Sequence, residues 1–142
     1  MSKNKASAIW SGTLKDGNGK MKIETLGQEL PYTFSSRFED GKGVNPEELI
    51  AAAHAGCFSM AFSALLTEKG YDVESINTTA EVKLKKAGDG FKISESMLVT
   101  RVKVDNIKEE QFLDLADTAK RNCPVSQALS SVNISLKAAL EG

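Results

Sequence analysis

The chain has 142 residues, a length that fits one domain with a sizeable hydrophobic core. Its 18 basic and 19 acidic residues leave a formal net charge of -1, and no stretch gathers Lys or Arg with aromatic residues on one face, so nucleic acid is not an expected partner. The N-terminal segment lacks the apolar core of a signal peptide, which favours a cytoplasmic location. In that compartment the two cysteines are not expected to form a static structural bridge, because cytosolic thiols are kept reduced and any disulfide tends to be transient and catalytic.

The first part of the chain is predicted to form strands. Residues 6–10 and 20–25 alternate between apolar and polar side chains around a turn-rich cluster at 15–19, which indicates a β-hairpin. Residues 31–38 indicate a third strand with Arg37 near its end. A short, glycine-containing connection follows, so we expect Arg37 to lie close to the beginning of the next element.

The stretch from Asn45 to Gly70 predicts a long helix. Asn45 suits the N-cap, Pro46 the first helical position, and Glu48 the third position of a capping box. Gly70 accepts the left-handed conformation that ends many helices. Between these ends, residues 49–66 carry no formal charge and are apolar on every side, so we expect this helix to be buried.

Two environments could bury such a helix. It is about long enough to span a bilayer, but His54, two serines and the acidic residues at both ends argue against a membrane partner. The alternative is a central helix covered by a sheet, or by a sheet and a second subunit. Small residues between Ala51 and Gly56 would let another backbone come close.

The second half of the chain is predicted to contain two strands, a helix and a final strand. The segments are 75–85 and 91–104 for the strands, 106–121 for the helix and 132–136 for the last strand. In the second strand the apolar residues change from odd-numbered positions to even-numbered ones, and a bulge near Ser96 would account for this change of face. Pro124 should interrupt or restart the helix. The order βββ-α-ββ-α-β favours an α+β fold over a doubly wound sheet.

Cys57 lies inside the apolar helix, where a thiol needs help to react. A free thiol is only about 3% thiolate at neutral pH, and an apolar setting lowers that fraction further. Arg37 is one candidate, because a nearby cation favours the thiolate and can bind the leaving oxygen of a peroxide; the alternative is that Arg37 only solvates a strand end. His54, three residues before Cys57, suits either a Cys–His pair or a hydrogen-bonded core imidazole.

The second cysteine, Cys123, directly precedes Pro124. If a short helix covers residues 124–130, the Cys123 sulfur lies near its N-terminus, where a thiolate is favoured. Cys57 and Cys123 could form a reversible disulfide if the fold brings their Cα atoms within about 7 Å; the alternative is that both cysteines only pack. The sequence has no C-x-x-C motif and one histidine, so neither a metal nor a cofactor is expected.

Four motifs together resemble the OsmC/Ohr group of thiol peroxidases, and within it the OsmC subgroup, over essentially the whole length. They are Arg37-Phe38-Glu39 with Gly41 and Gly43, Asn45-Pro46-Glu47-Glu48-Leu49, Ala52-Ala53-His54-Ala55-Gly56-Cys57-Phe58-Ser59-Met60, and Asn122-Cys123-Pro124-Val125-Ser126. The position of Arg37 points to OsmC rather than Ohr. The resemblance implies a single α+β domain of antiparallel sheets around long central helices, formed as an intertwined homodimer.

The same resemblance implies a chemistry. Cys57 would be the peroxidatic cysteine and Cys123 the resolving cysteine, with Arg37 and Glu47 as the polar pair that activates the thiol. The substrates would be organic hydroperoxides and hydrogen peroxide, reduced in oxidative or osmotic stress defence, and an external dithiol such as a lipoyl group or thioredoxin would restore the enzyme. A redox sensor that uses the same thiols, and a structural module whose cysteines merely pack, are the alternatives.

Helix geometry adds one expectation about Glu47. Glu47 and Cys57 are ten residues apart in one helix, which corresponds to about 15 Å of rise and about 280° of rotation. One straight helix can hardly bring both groups to one small site. Either Glu47 is not catalytic, or it acts at Cys57 of the partner subunit across a two-fold interface.

Overall fold

The computed structural model describes residues 2–141, which contain six strands and four helices. They are β1 (Ala6–Ser11), β2 (Asn18–Ile23), β3 (Glu29–Tyr32), α1 (Phe34–Phe38), α2 (Pro46–Glu68), β4 (Val73–Ala87), β5 (Gly90–Val104), α3 (Glu109–Asn122), α4 (Pro124–Ala128) and β6 (Asn133–Glu141). This order confirms the predicted α+β class. The chain divides into two compact units, before and after the Leu49–Ile50 bond.

The first unit is built on an antiparallel sheet in the order β1-β2-β3, which confirms the predicted hairpin. Gly19 pairs with Trp10 on one side and Tyr32 on the other, and the two rings are 5.3 Å apart. A Cβ at Gly19 would lie 2.5 Å from Cε3 of Trp10. A glycine is therefore needed where these two aromatic rings meet over the sheet.

The predicted third strand is wrong beyond Tyr32, because the chain turns into α1. The Thr33 side chain accepts the Ser36 N–H at 3.1 Å, and Ser36 Oγ accepts the Thr33 N–H at 2.9 Å. This reciprocal capping box satisfies two backbone donors and begins a helix where alternation alone predicts a strand. Arg37 therefore lies in the last turn of α1 and not at a strand end.

Both predicted ends of the long helix are confirmed in α2. Asn45 Oδ1 accepts the Glu48 N–H at 2.8 Å, as an N-cap does. Gly70 has a φ of 89°, and the Tyr71 N–H donates to the Leu66 carbonyl at 3.0 Å. The left-handed glycine and this bond satisfy carbonyls that the last turn leaves open.

The second unit contains a sheet in the order β4-β5-β6. The β4–β5 register passes from Lys83 opposite Glu95 to Leu84 opposite Ile93, so the extra residue of the predicted bulge is Ser94, two residues before Ser96. β6 pairs parallel to β5. The expectation that the sheets are antiparallel is therefore wrong for this pair of strands. The long connection through α3 and α4 permits the parallel pairing, because parallel neighbours need a crossover.

The core of the second unit lies between α2, β5 and α3. It contains Phe58, Phe62 and Leu66 of α2, Leu98, Val102 and Val104 of β5, Phe112, Leu115, Ala116 and Ala119 of α3, and Cys123. As predicted, α3 stops at Asn122 and a short helix restarts at Pro124. Cys123 is thereby the residue between two helices and part of the core.

The opposite face of α2 is not covered by the other elements of the second unit. Its exposed positions are Ala52, Ala53, Gly56, Met60 and Ala64, and Met60 is 77% exposed. Within the second unit, α2 is therefore buried on one face only. By length and composition α2 could cross a membrane, because it has 23 residues and contains an 18-residue window with a mean hydropathy of 1.8, although core helices of soluble proteins meet the same criterion.

Candidate active site

The second unit brings Cys57 and Cys123 together. Both are free thiols; Cys57 is partly buried on α2 and packs against the core, and Cys123 is completely buried. Cys123 is near enough to Cys57 to raise the pKa of its thiol. Two reduced sulfurs from distant parts of the sequence thus lie side by side, as a reversible disulfide requires.

The first turn of α4 supplies hydrogen bonds to both sulfurs. The Val125 N–H donates to Cys57 Sγ at 3.5 Å, and the Ser126 N–H donates to Cys123 Sγ at 3.4 Å. Pro124 occupies the first position of this helix and leaves Cys123 as its N-cap. The predicted position of Cys123 at the beginning of a helix is confirmed.

The surroundings of Cys57 in this unit oppose its ionisation. Burial raises the pKa of the Cys57 thiol, and the hydrogen bond and charge of the neighbouring Cys123 raise it further; the Val125 N–H lowers it. The raised pKa keeps the thiol protonated. The groups of the second unit that contact Cys57 therefore do not, taken together, favour its thiolate.

His54 does not form the pair with Cys57 that their spacing permits. Its Nδ1 lies 2.6 Å from Ser96 Oγ, and its Nε2 lies 2.8 Å from Ser126 Oγ. The ring is fully buried, and burial lowers the pKa of His54. The alternative of a hydrogen-bonded core imidazole is therefore the one that the structure bears out.

Sequence reasoning missed Ser96 and Ser126 as neighbours of the cysteines. Ser126 Oγ lies 3.0 Å from Cys123 Sγ as well as 2.8 Å from His54 Nε2. Ser96 comes from β5, 42 residues after His54. Ser126 was present in the last of the four family motifs, but no role was assigned to it. No local sequence pattern connects Ser96 with His54, because the whole of β4 separates β5 from α2.

The first unit contains the other predicted site residues, Arg37 and Glu47, and pairs them. Arg37 Nε donates to Glu47 Oε1 at 3.0 Å, and Nη2 donates to Oε2 at 3.1 Å. The Glu47 side chain is 8% exposed and the Arg37 side chain 35%. The Arg37 guanidinium also lies 5.2 Å from the centre of the Phe38 ring, so it is held on two sides.

The loop between α1 and α2 fixes the distance between these two residues. Ser36 Oγ donates to the Val44 carbonyl at 2.9 Å, and Asn45 Nδ2 donates to the Ser36 carbonyl at 3.1 Å. Gly43 has a φ of 117°, which only glycine adopts without strain. The loop thus ties the last turn of α1 to the first turn of α2, where Arg37 and Glu47 lie.

A cleft of about 220 Å³ opens beside Arg37 in the first unit. Aromatic and aliphatic side chains dominate its lining, which consists of Trp10, Leu14, Tyr32, Thr33, Phe34, Arg37 and Phe38. The cleft is apolar with one fixed cation, and it is suited to a small ligand that has an apolar body and a polar or anionic end. Among residues 2–141, no group of three or more His, Cys, Asp or Glu side chains is placed to hold a metal ion.

The fold and these contacts define an α+β dithiol protein with a fixed Arg–Glu pair. A sequence model of the OsmC-like protein family matches residues 39–137, more than half of the chain. Peroxiredoxin OsmC of Escherichia coli is 47% identical over 129 residues, which cover 89% of this chain and 90% of the relative. The chain belongs to the OsmC family, as the resemblance predicted.

Two further comparisons extend this result. The organic hydroperoxide resistance protein OhrB of Bacillus subtilis is 30% identical over 109 residues, which cover 75% of this chain and 76% of the relative. The structure of an OsmC-like protein from Vibrio cholerae superposes with a TM-score of 0.76 at 18% identity, over 97% of this chain and 99% of that one. The second similarity concerns the fold alone.

Proposed function

We propose that this protein is a thiol peroxidase that reduces organic hydroperoxides and hydrogen peroxide in stress defence. The observation that carries the proposal is the pair of reduced thiols, Cys57 beside Cys123, in a chain that belongs to the OsmC family. Relatives named peroxiredoxin and organic hydroperoxide resistance protein support it. The apolar cleft beside Arg37 suits the carbon chain of an organic hydroperoxide.

The proposed first step takes place at Cys57. Its thiolate attacks the terminal oxygen of the hydroperoxide, the O–O bond breaks, and the alcohol leaves after it takes up a proton. Cys57 becomes a sulfenic acid. Cys57 is assigned this role because it is partly buried and reachable, whereas Cys123 is fully buried.

The second step joins the two sulfurs. Cys123 attacks the Cys57 sulfur, a disulfide forms and water leaves, so that one thiol and one sulfenic acid are consumed together. An external dithiol, such as a lipoyl group or thioredoxin, then reduces the disulfide by thiol–disulfide exchange. No metal or cofactor takes part in the proposed cycle.

Arg37 and Glu47 are proposed to activate Cys57. The pKa of the thiol is raised by its own surroundings, and a fixed guanidinium would reverse that shift and hold the leaving oxygen. Glu47 holds the guanidinium in one orientation through two parallel hydrogen bonds. Because one straight helix cannot place Glu47 beside its own Cys57, we propose that the Arg37–Glu47 pair acts on Cys57 of the partner subunit.

This arrangement requires a homodimer, and the uncovered face of α2 supports one. The face is apolar, has small residues at Ala52, Ala53 and Gly56, and includes the exposed Met60. A second copy of the chain would cover it and complete the burial that an uncharged helix needs. We further propose that all 142 residues act as one domain in the cytoplasm, without a nucleic-acid or membrane partner.

A steady-state assay tests the peroxidase function. The purified protein is given cumene hydroperoxide, tert-butyl hydroperoxide or hydrogen peroxide, with dihydrolipoamide or reduced thioredoxin as the electron donor. Consumption of many equivalents of peroxide per protein, with matching oxidation of the dithiol, is the expected result. Consumption of a single equivalent without turnover would contradict the peroxidase function and favour a redox sensor.

A further inference from the structure

A line of hydrogen bonds runs from Cys123 through the core of the second unit. Cys123 Sγ lies 3.0 Å from Ser126 Oγ, which lies 2.8 Å from His54 Nε2. His54 Nδ1 lies 2.6 Å from Ser96 Oγ on the other side of the ring. The peroxidase cycle proposed above uses Cys123 but gives no role to the other three side chains.

Cys123 must lose its proton before it attacks Cys57, because the thiolate is the nucleophile in such exchanges. The residue is 0% exposed, so bulk water and buffer do not reach the thiol. The Ser126 N–H that points at the sulfur can only donate a hydrogen bond. The Ser126 hydroxyl can both accept and donate, and it is therefore the group through which the thiol proton can leave.

We propose that Ser126 and His54 form a proton relay for Cys123 during disulfide formation, an inference that rests on the proposed peroxidase cycle. Ser126 Oγ accepts the thiol proton while its own proton passes to His54 Nε2. The relay requires the His54 tautomer with its proton on Nδ1, where Ser96 Oγ lies within hydrogen-bond distance to accept it, so that the lone pair on Nε2 faces Ser126. His54 acts through Ser126 and is a positioning residue, whereas Ser126 touches the reacting sulfur.

The protons and bonds balance without an additional reactant. The Cys123 thiolate attacks the Cys57 sulfur, the S–S bond forms, the S–O bond of the sulfenic acid breaks, and hydroxide leaves. The hydroxide takes the proton held by His54, which returns through Ser126, and becomes water. The net reaction converts one sulfenic acid and one thiol into one disulfide and one water.

The surroundings of His54 suit a base that carries the proton only briefly. The groups that face its ring nitrogens are uncharged, namely the Ser96 hydroxyl from β5 and the Ser126 hydroxyl from α4. Burial lowers the pKa of His54, so the ring is neutral at rest and free to accept. For the same reason the imidazolium gives the proton back readily once hydroxide is formed.

Single-turnover kinetics test the relay. The reduced protein is mixed with one equivalent of cumene hydroperoxide without reductant, and acid-quenched samples are analysed for Cys57 sulfenic acid and for the Cys57–Cys123 disulfide. In Ser126→Ala and His54→Gln, sulfenic acid should form at the wild-type rate, and the disulfide should form about 100-fold more slowly, a typical effect of losing one acid–base group. Glutamine keeps a hydrogen bond to Ser126 but cannot hold the proton.

The pH profile separates a relay from simple packing. In both variants the rate of disulfide formation should rise in proportion to hydroxide concentration, because the thiol proton is then lost only when the core opens transiently and admits hydroxide, whereas the wild-type rate should change little around neutral pH. Ser126→Thr, which retains the hydroxyl, should recover the wild-type profile. Ser59→Ala is the matched control, since its hydroxyl bonds Ala55 and Thr78 instead of the cysteines.

The relay is refuted if the disulfide forms at the wild-type rate in both variants, or if it forms slowly with the wild-type pH profile. A second oxidant, diamide, makes this result independent of peroxide chemistry, because Cys123 must also lose its proton to displace the diamide adduct of Cys57. The wild type could fail to react with hydroperoxides but form the disulfide with diamide, at a rate that depends on Ser126 and His54. That result would contradict the peroxidase function and still support the relay.

Discussion

The two carboxylate oxygens of Glu47 each accept a separate hydrogen bond from Arg37, from Nε at 3.0 Å and from Nη2 at 3.1 Å. Such parallel bonds fix the plane of a guanidinium as well as its position. A lysine, which presents a compact charge without a fork, cannot reproduce this geometry. The proposed activation of Cys57 therefore depends on both partners of the pair.

Removal of the guanidinium should move the peroxidase reaction to higher pH. Burial and Cys123 raise the pKa of Cys57, and the thiolate is the reactive form, so a protein without the proposed cation has less thiolate at neutral pH. In Arg37→Ala the rising limb of the rate–pH profile should be shifted to higher pH than in the wild type. Arg37→Lys should recover part of the shift and little of the activity.

This prediction is checked by the alkylation rate of Cys57 as a function of pH, measured in a Cys123→Ser background so that only one thiol reacts. Lys20→Ala, which removes an exposed cation paired with Glu29 in the same unit, is the control. An identical profile in Arg37→Ala and in the parent protein would exclude an electrostatic role for Arg37.

Cys57→Ser should abolish peroxide consumption and leave the fold intact. A hydroxyl is close to a thiol in size, and Cys57 is only partly buried, so little packing is lost, whereas the nucleophile is lost completely. Peroxide consumption and circular dichroism measure the two effects. Near-normal turnover in this variant would transfer the nucleophilic role to another residue.

Cys123→Ser should react with peroxide once and then stop. The sulfenic acid at Cys57 would have no thiol to condense with, so further peroxide should convert it to sulfinic and sulfonic acids. Mass spectrometry of the variant should show these products on Cys57, and the oxidised wild type should show a Cys57–Cys123 bridge. A wild-type protein without the bridge after mild oxidation would contradict the resolving role.

Gly56→Leu should dissociate the proposed homodimer without unfolding the chain. Apart from its sequence neighbours and the nearby backbone of α2, a Cβ at Gly56 meets no atom within 4 Å, so this position has room for a larger side chain, and replacing glycine favours a helix by up to about 1 kcal/mol. A second copy packed closely on this face would clash with leucine. Analytical ultracentrifugation should show monomers, whereas Leu113→Lys, at a 44% exposed position on α3, should leave the dimer intact.

Mixed dimers should reveal whether two subunits share each site. Cys57→Ser and Glu47→Ala are each expected to be inactive, and refolding them together produces heterodimers. One site of a heterodimer would then combine wild-type Cys57 from one chain with the wild-type Arg37–Glu47 pair from the other, so activity should return. Heterodimers that form but show no activity would place the pair and the cysteine of each site in the same chain.

The sequence by itself determined the features that local physics controls. Asn45, Pro46 and Gly70 predicted both ends of α2, because caps and helix breakers act within a few residues. The alternation of residues 75–85 predicted β4, and Pro124 predicted the restart of a helix after Cys123. The family motifs identified the OsmC family, which the comparisons confirmed.

Only the tertiary structure decided which side chains meet. Residues 31–38 alternate like a strand, but the exchange of bonds between Thr33 and Ser36 makes the second half helical. His54 was spaced to reach Cys57, yet Ser96 and Ser126 take both ring nitrogens from 42 and 72 residues away. Such contacts depend on how the sheet and helices pack. The hydrogen-bond partner of a serine hydroxyl cannot be predicted from the periodic pattern of the sequence.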